Sequence, residues 1–254
     1  MRLSFCLLAI LVLASSAALA RGQARWPDER QAGPLWCHAD FSLAGQEPLL
    51  DELTLLQADL QEVLGARRTR EPVHLFLFQT KATYQGYLRQ YFPRVPYRRA
   101  LYIKARGPGM VFAFQGEDFE IDVRHECTHA LLHGWLPTVP LWLDEGLAEY
   151  FEAPRDARVG QNPHLETTRA LVRSGQLPRL EELESLTDIE QMGRDEYRDA
   201  WAWIHWMLHG PPAARDELRS YLADLADGGD IGPLSRRLRR RIPSLSATVA
   251  EHFR

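Results

Sequence analysis

His125-Glu126-Cys127-Thr128-His129 is an uninterrupted run in which two histidines stand four residues apart with a glutamate beside the first. On an α-helix, residues four apart lie nearly above one another, so both imidazoles leave one face toward one point. Imidazole nitrogen is a good zinc donor, and a carboxylate held alongside can act as a base. A catalytic zinc site takes three protein ligands and keeps one position open. After fifteen intervening residues comes Glu145, inside Trp142-Leu143-Asp144-Glu145-Gly146-Leu147-Ala148-Glu149-Tyr150. Glu145 is read as the third ligand beside His125 and His129.

HExxH followed at that distance by W-x-x-E-G-x-A-E-Y resembles the gluzincin clan of metallopeptidases, and within it the small bacterial peptidase-MA-like domains. The likeness is specific over Asp122 to Phe151 and general in layout from about Trp36 to Gly210. It implies an α+β fold, a thermolysin-like zincin catalytic domain with an N-terminal sheet-containing lobe, a C-terminal helical lobe and a cleft between them. It also implies bound Zn2+ and hydrolysis of a peptide or protein substrate, in the endopeptidase manner. The aminopeptidase N branch adds a Gly-x-Met-Glu-Asn strand that holds the substrate's free amine. The corresponding region here reads Gly107-Pro108-Gly109-Met110-Val111-Phe112, without the Glu-Asn pair, so aminopeptidase activity is not implied.

Other zinc patterns fail. A metzincin needs Gly three residues after His129 and His three further on, where this chain has Leu132 and Trp135. His133 extends the histidine series, but at 1.5 Å per residue it lies about 12 Å along the helix from His125. One ion cannot bind both, and His133 reads as a cleft or packing histidine.

With His125, His129 and Glu145 as ligands, Glu126 is the expected general base on zinc-bound water, passing the proton to the leaving amine. A ligand histidine needs an acceptor for its other ring nitrogen, and Glu149, one turn beyond Glu145, is the first candidate, with Asp144 behind it. The clan resemblance suggests a downstream tyrosine as oxyanion donor, and Tyr197 is placed for that part, with His205 a weaker candidate and packing the competing reading for both. Two further readings stand beside the enzyme: a zincin-fold module that binds peptide or protein with little turnover, and a helical scaffold whose histidines hold no metal. Apolar β segments near Met110 to Phe114 could provide an edge strand for an extended peptide.

The chain has 254 residues and a net charge of −4, which points to no nucleic-acid partner. Residues 1–20 carry Arg2, an apolar run through Leu13 and a closing Ala18-Leu19-Ala20, the pattern of a secretory signal cleaved after Ala20. Export to the periplasm or the medium is expected, with no stable membrane insertion after cleavage; an uncleaved anchor helix over Leu3 to Ala20 is the competing reading. Cys37 and Cys127 remain; an oxidising compartment permits a bond between them, but two buried apolar side chains are the plainer reading. Arg236-Arg237-Leu238-Arg239-Arg240-Arg241 reads as a solvated helix face answered by acidic residues elsewhere.

Residues 21–34 are polar, with Gly22, Pro27 and Gly33, and read as a flexible leader. A single zincin-like domain is expected over 35–254, comprising an α/β part over 35–116, the zinc-binding helices over 117–152 and a helical part over 153–254. Strands are expected at Leu35–Phe41, Val73–Phe78, Leu101–Lys104 and Met110–Phe114. Helices are expected at Leu49–Leu64, Lys81–Tyr91, Asp118–His133, from Pro140 to before Pro154, and at Pro163–Ser174, Asp195–His209 and Ala213–Ala226. Gly146 would let its helix approach the motif helix closely.

Overall fold

A computed structural model describes residues 26–69, 71–104, 107–229 and 231–254. The secretory signal expected over residues 1–20, with its cleavage after Ala20, falls outside the described residues. The fold is mixed α+β, with an N-terminal sheet and a helical C-terminal part. The residues group into two compact units: one runs to Gln57 and resumes over Thr69–Leu131, and the other joins Ala58–Arg68 to Leu132–Arg254. This division differs from the borders expected at residues 116 and 152.

The first unit holds β1 (Asp28–Ala32), β2 (Leu35–Ala39), the start of α1 (Glu47–Leu64), β3 (Val73–Phe78), α2 (Lys81–Tyr91), β4 (Ala100–Ile103), β5 (Met110–Phe114) and α3 (Phe119–His133) up to Leu131. The sheet order is β1-β2-β3-β5-β4; β2, β3 and β5 are parallel and the two edges antiparallel. Strand alternation sets Cys37, Leu75 and Val111 in one row of one face, all fully buried. His38, Phe76 and Phe112 form the neighbouring row on the other face, where Tyr84 and Leu88 of α2 pack against Phe78, Leu101 and Phe112. Thr80 caps α2, accepting from the Thr83 N–H at 3.1 Å.

Two expectations are corrected here. Residues 28–32, read as leader, form the edge strand β1. An edge strand pairs through its backbone with one flank in water, so it needs little apolar surface; only Ala32 is buried, while Glu29 reaches His38 at 2.5 Å. Second, Met110–Phe114 is interior, flanked by β3 and β4, because Val111, Phe112 and Ala113 are buried on both faces. The free edge on that side is β4, with Tyr102 and Ile103 half-buried.

In the second unit, α4 (Leu141–Phe151), α5 (His164–Arg173), α6 (Leu180–Glu184) and α8 (Pro212–Ala226) pack around α7 (Arg194–His209), which is buried from Ala200 to Leu208, while α9 (Leu234–Arg241) packs on α8 and α10 (Leu245–Phe253) on α5. The end of α1 belongs here because its polar groups are answered here. Asp59 meets Arg158 at 2.5 Å and Glu62 meets Arg155 at 3.1 Å. The last turn of α1 has no basic residue of its own, and Arg219 of α8 donates to the carbonyls of Val63, at 2.9 Å, and Glu62. Gly65, at φ +76°, ends the helix. Three arginines of α9 are answered by acidic residues: Arg237 pairs with Glu217 and Asp224, Arg239 with Glu181, and Arg241 with Glu217. Among the described residues no helix is long and apolar enough to cross a membrane.

Candidate metal centre

α3 carries the histidine run, and its seat in the first unit is set by the other side of the helix. Val123 and Cys127, four residues apart, are fully buried. Arg124, 4 % exposed, is held by Glu52 of α1 at 2.8 Å, and Thr128 donates to the Arg124 carbonyl at 2.8 Å. At the amino end, Arg99 pairs with Asp118 and, at 2.9 Å, with Asp122. Burial pushes the Asp122 carboxyl up, against the pull of Arg99. With that side fixed, His125, Glu126 and His129 share the remaining faces, His125 and Glu126 half-buried and His129 buried. Among the described residues Cys37 and Cys127 are both free thiols, with Cys37 pushed up to about 12 and Cys127 well above its usual value by burial. They act as apolar packing.

His125 Nε2 and His129 Nε2 lie 3.1 Å apart, and their ring planes cross at 74°. Two nitrogens on one zinc at 2.0–2.1 Å and a tetrahedral angle stand about 3.4 Å apart. At 3.1 Å the two nitrogens are close enough to reach one ion. The donor chemistry of the α3 pair therefore fits a metal ion.

In the second unit, α4 begins after Pro140, as the sequence predicts, and Glu145 is 8 % exposed on it. Gly146 does pack tightly, but its neighbour is α7: a Cβ there would meet the Ala200 carbonyl oxygen at 2.8 Å. His133 is bonded to Asp144 at 2.8 Å, which accounts for both residues. Glu149 is bonded to His164 at 2.9 Å, and Asn162 braces the same turn through the Glu149 carbonyl and the His164 N–H. Sequence reasoning did not find His164; Asn162-Pro163-His164 is a turn signal that says nothing of its partner. Tyr197 is half-buried in the first turn of α7. His205 has both ring nitrogens engaged, with the Val159 carbonyl and His252, each at 2.9 Å, which removes it as an oxyanion donor.

Among the described residues the first unit thus offers two imidazoles, His125 and His129, and the second unit a buried carboxylate, Glu145, all of them ligand types that zinc accepts.

Residues 121–228 match the model of a family described as proteins of unknown function, DUF1570. No curated protein matches the chain. Among solved structures, the crystal structure of the M1 zinc metallopeptidase from Deinococcus radiodurans is similar, with 16 % identity and a TM-score of 0.46 over 89 % of this chain. This chain spans 50 % of the length of that one.

Proposed function

We propose that the chain is a zinc-dependent peptidase of the gluzincin type, acting on an exported peptide or protein in the envelope or outside the cell. The observation that carries this is the crossed His125–His129 pair on α3, with its nitrogens 3.1 Å apart and Glu126 between them in sequence. His125, His129 and Glu145 would hold the zinc. Bound there, zinc lowers the pKa of water toward about 7 and polarises a carbonyl. Glu126 takes the proton of the attacking water and delivers it to the leaving amine. Glu149, braced by His164, serves as a carboxylate that orients a ligand imidazole. The Tyr197 hydroxyl donates to the oxygen on which negative charge develops.

Purified protein should hold one zinc per chain by mass spectrometry, and His125→Ala, His129→Ala and Glu145→Ala should each lose it. Glu126→Gln keeps the shape but cannot take the proton, so zinc should stay while peptide turnover falls by about 10² or more. Full zinc in all three ligand variants ends the metal reading. Undiminished turnover in Glu126→Gln ends the hydrolase reading.

A further inference from the structure

The second unit buries a group of imidazoles that the proposed reaction leaves unused. His205 of α7 is 5 % exposed, with Nε2 at 2.9 Å from the Val159 carbonyl and Nδ1 at 2.9 Å from His252 Nε2 of α10. A carbonyl only accepts, so Nε2 of His205 carries the proton. Neutral His205 then offers a lone pair at Nδ1, and His252 Nε2–H donates into it. One turn along α7, His209 meets the Tyr150 hydroxyl of α4 at 2.8 Å, its ring 4.9 Å from that of His205. α10 closes over this layer with Leu245, Val249 and Phe253 buried, and the Phe253 ring lies 5.7 Å from His205 and 6.4 Å from Trp201.

A proton added to His205 has one place to go, Nδ1, the atom that accepts from His252. The hydrogen bond becomes two opposed N–H groups unless His252 changes tautomer, and either way a cation stands in an aromatic layer. The charged and titratable groups that act on the pair are His209 and Arg169 of α5, and Arg215 of α8 acts on His209. None of these is a carboxylate, and Arg169 has its own exposed partner in Glu166.

We propose that the His205–His252 hydrogen bond is an acid-opened latch: near neutral pH it fastens α10, which packs on α5, to α7, and acidification releases the C-terminal helix while the rest of the second unit stays folded. Burial pushes His205 down to about 4, and it holds His209 and His252 below their usual value as well. Once released, these imidazoles return to their ordinary pKa of about 6.5, so the open form takes up protons that the docked form refuses. Docking is therefore at full strength above about pH 6.5 and weakens as pH falls from there toward about 4.

Hydrogen exchange on the full chain, read peptide by peptide and corrected for intrinsic rates, tests this. Between about pH 7.5 and pH 4.5 the amides of Leu245–Phe253 should lose protection by about tenfold or more, while those of α8 keep theirs. His205→Gln, a neutral donor and acceptor, should keep α10 protected at the acid end. Should that variant fail to fold, His252→Gln at the half-buried side of the pair should shrink the loss, and the His205 ring resonance in the wild type should titrate well below the ordinary range. Undiminished protection of α10 at pH 4.5 overturns the latch. So does equal loss in α8, the same loss in every folded variant, or an ordinary His205 titration.

Discussion

Asp59 and Arg158 are 3 % and 6 % exposed and meet at 2.5 Å; Asp59 also faces Arg155 at 3.5 Å, whereas Arg158 has Asp59 as its counter-charge. Arg158 also donates to the Ala153 carbonyl at 3.1 Å and lies over the Phe151 ring at 4.9 Å, so it cannot simply swing into water. Removing one partner of such a pair leaves the other buried and uncompensated, and Asp59→Asn should destabilise the protein by about 3–5 kcal/mol in chemical denaturation. A loss below about 1 kcal/mol would mean that Arg158 finds solvent after all. At this scale the sequence was readable where geometry is local. His125 and His129 are fixed by one turn of helix, and Cys127 follows as a buried side chain on another face. The partners of Glu149 and His133 were not readable. They sit fifteen and eleven residues away, beyond turns whose path no periodicity describes.

Among elements, α4 and α7 are fastened by a missing side chain. A Cβ on Gly146 would stand 2.8 Å from the Ala200 carbonyl oxygen and 3.0 Å from Ile204 Cγ1. Backbone cannot yield as a side chain can, so Gly146→Ala should cost about 1–3 kcal/mol by overpacking and lower the melting temperature. Unchanged stability in that variant would show that the two helices slide apart freely. Most helices were legible because apolar spacing and Pro or Gly punctuation mark their ends: Lys81–Tyr91 and the stop of α1 at Gly65 are examples. β1 escaped because an edge strand of Asp-Glu-Arg-Gln-Ala has neither alternation nor apolar content. β5 was recognised as a strand but assigned to the wrong position, since a five-residue apolar run is equally suited to any place in a sheet.

For the whole molecule, the second unit is discontinuous in sequence: eleven residues, Ala58–Arg68, belong with Leu132–Arg254. A fragment beginning at Leu132 would lack Asp59 and the buried Leu60 and Leu64, and leave Arg158 without its counter-charge. Its thermal unfolding, followed by circular dichroism, should be broad, and a synthetic peptide of residues 47–68 should sharpen it. A cooperative melt of the bare fragment would show that these eleven residues are dispensable. The sequence favoured one domain with three successive parts because no internal repeat or low-complexity segment divides it; ion pairs spanning about a hundred residues leave no trace in composition. The same Asp59–Arg158 pair also has a meaning in time. The two residues are 99 positions apart. At about 5–20 residues per second, Asp59 is added to the chain roughly 5–20 seconds before its partner is. Through that interval its carboxylate stays hydrated and the last turns of α1 have nothing to settle on, so this unit closes only when translation has passed Arg158.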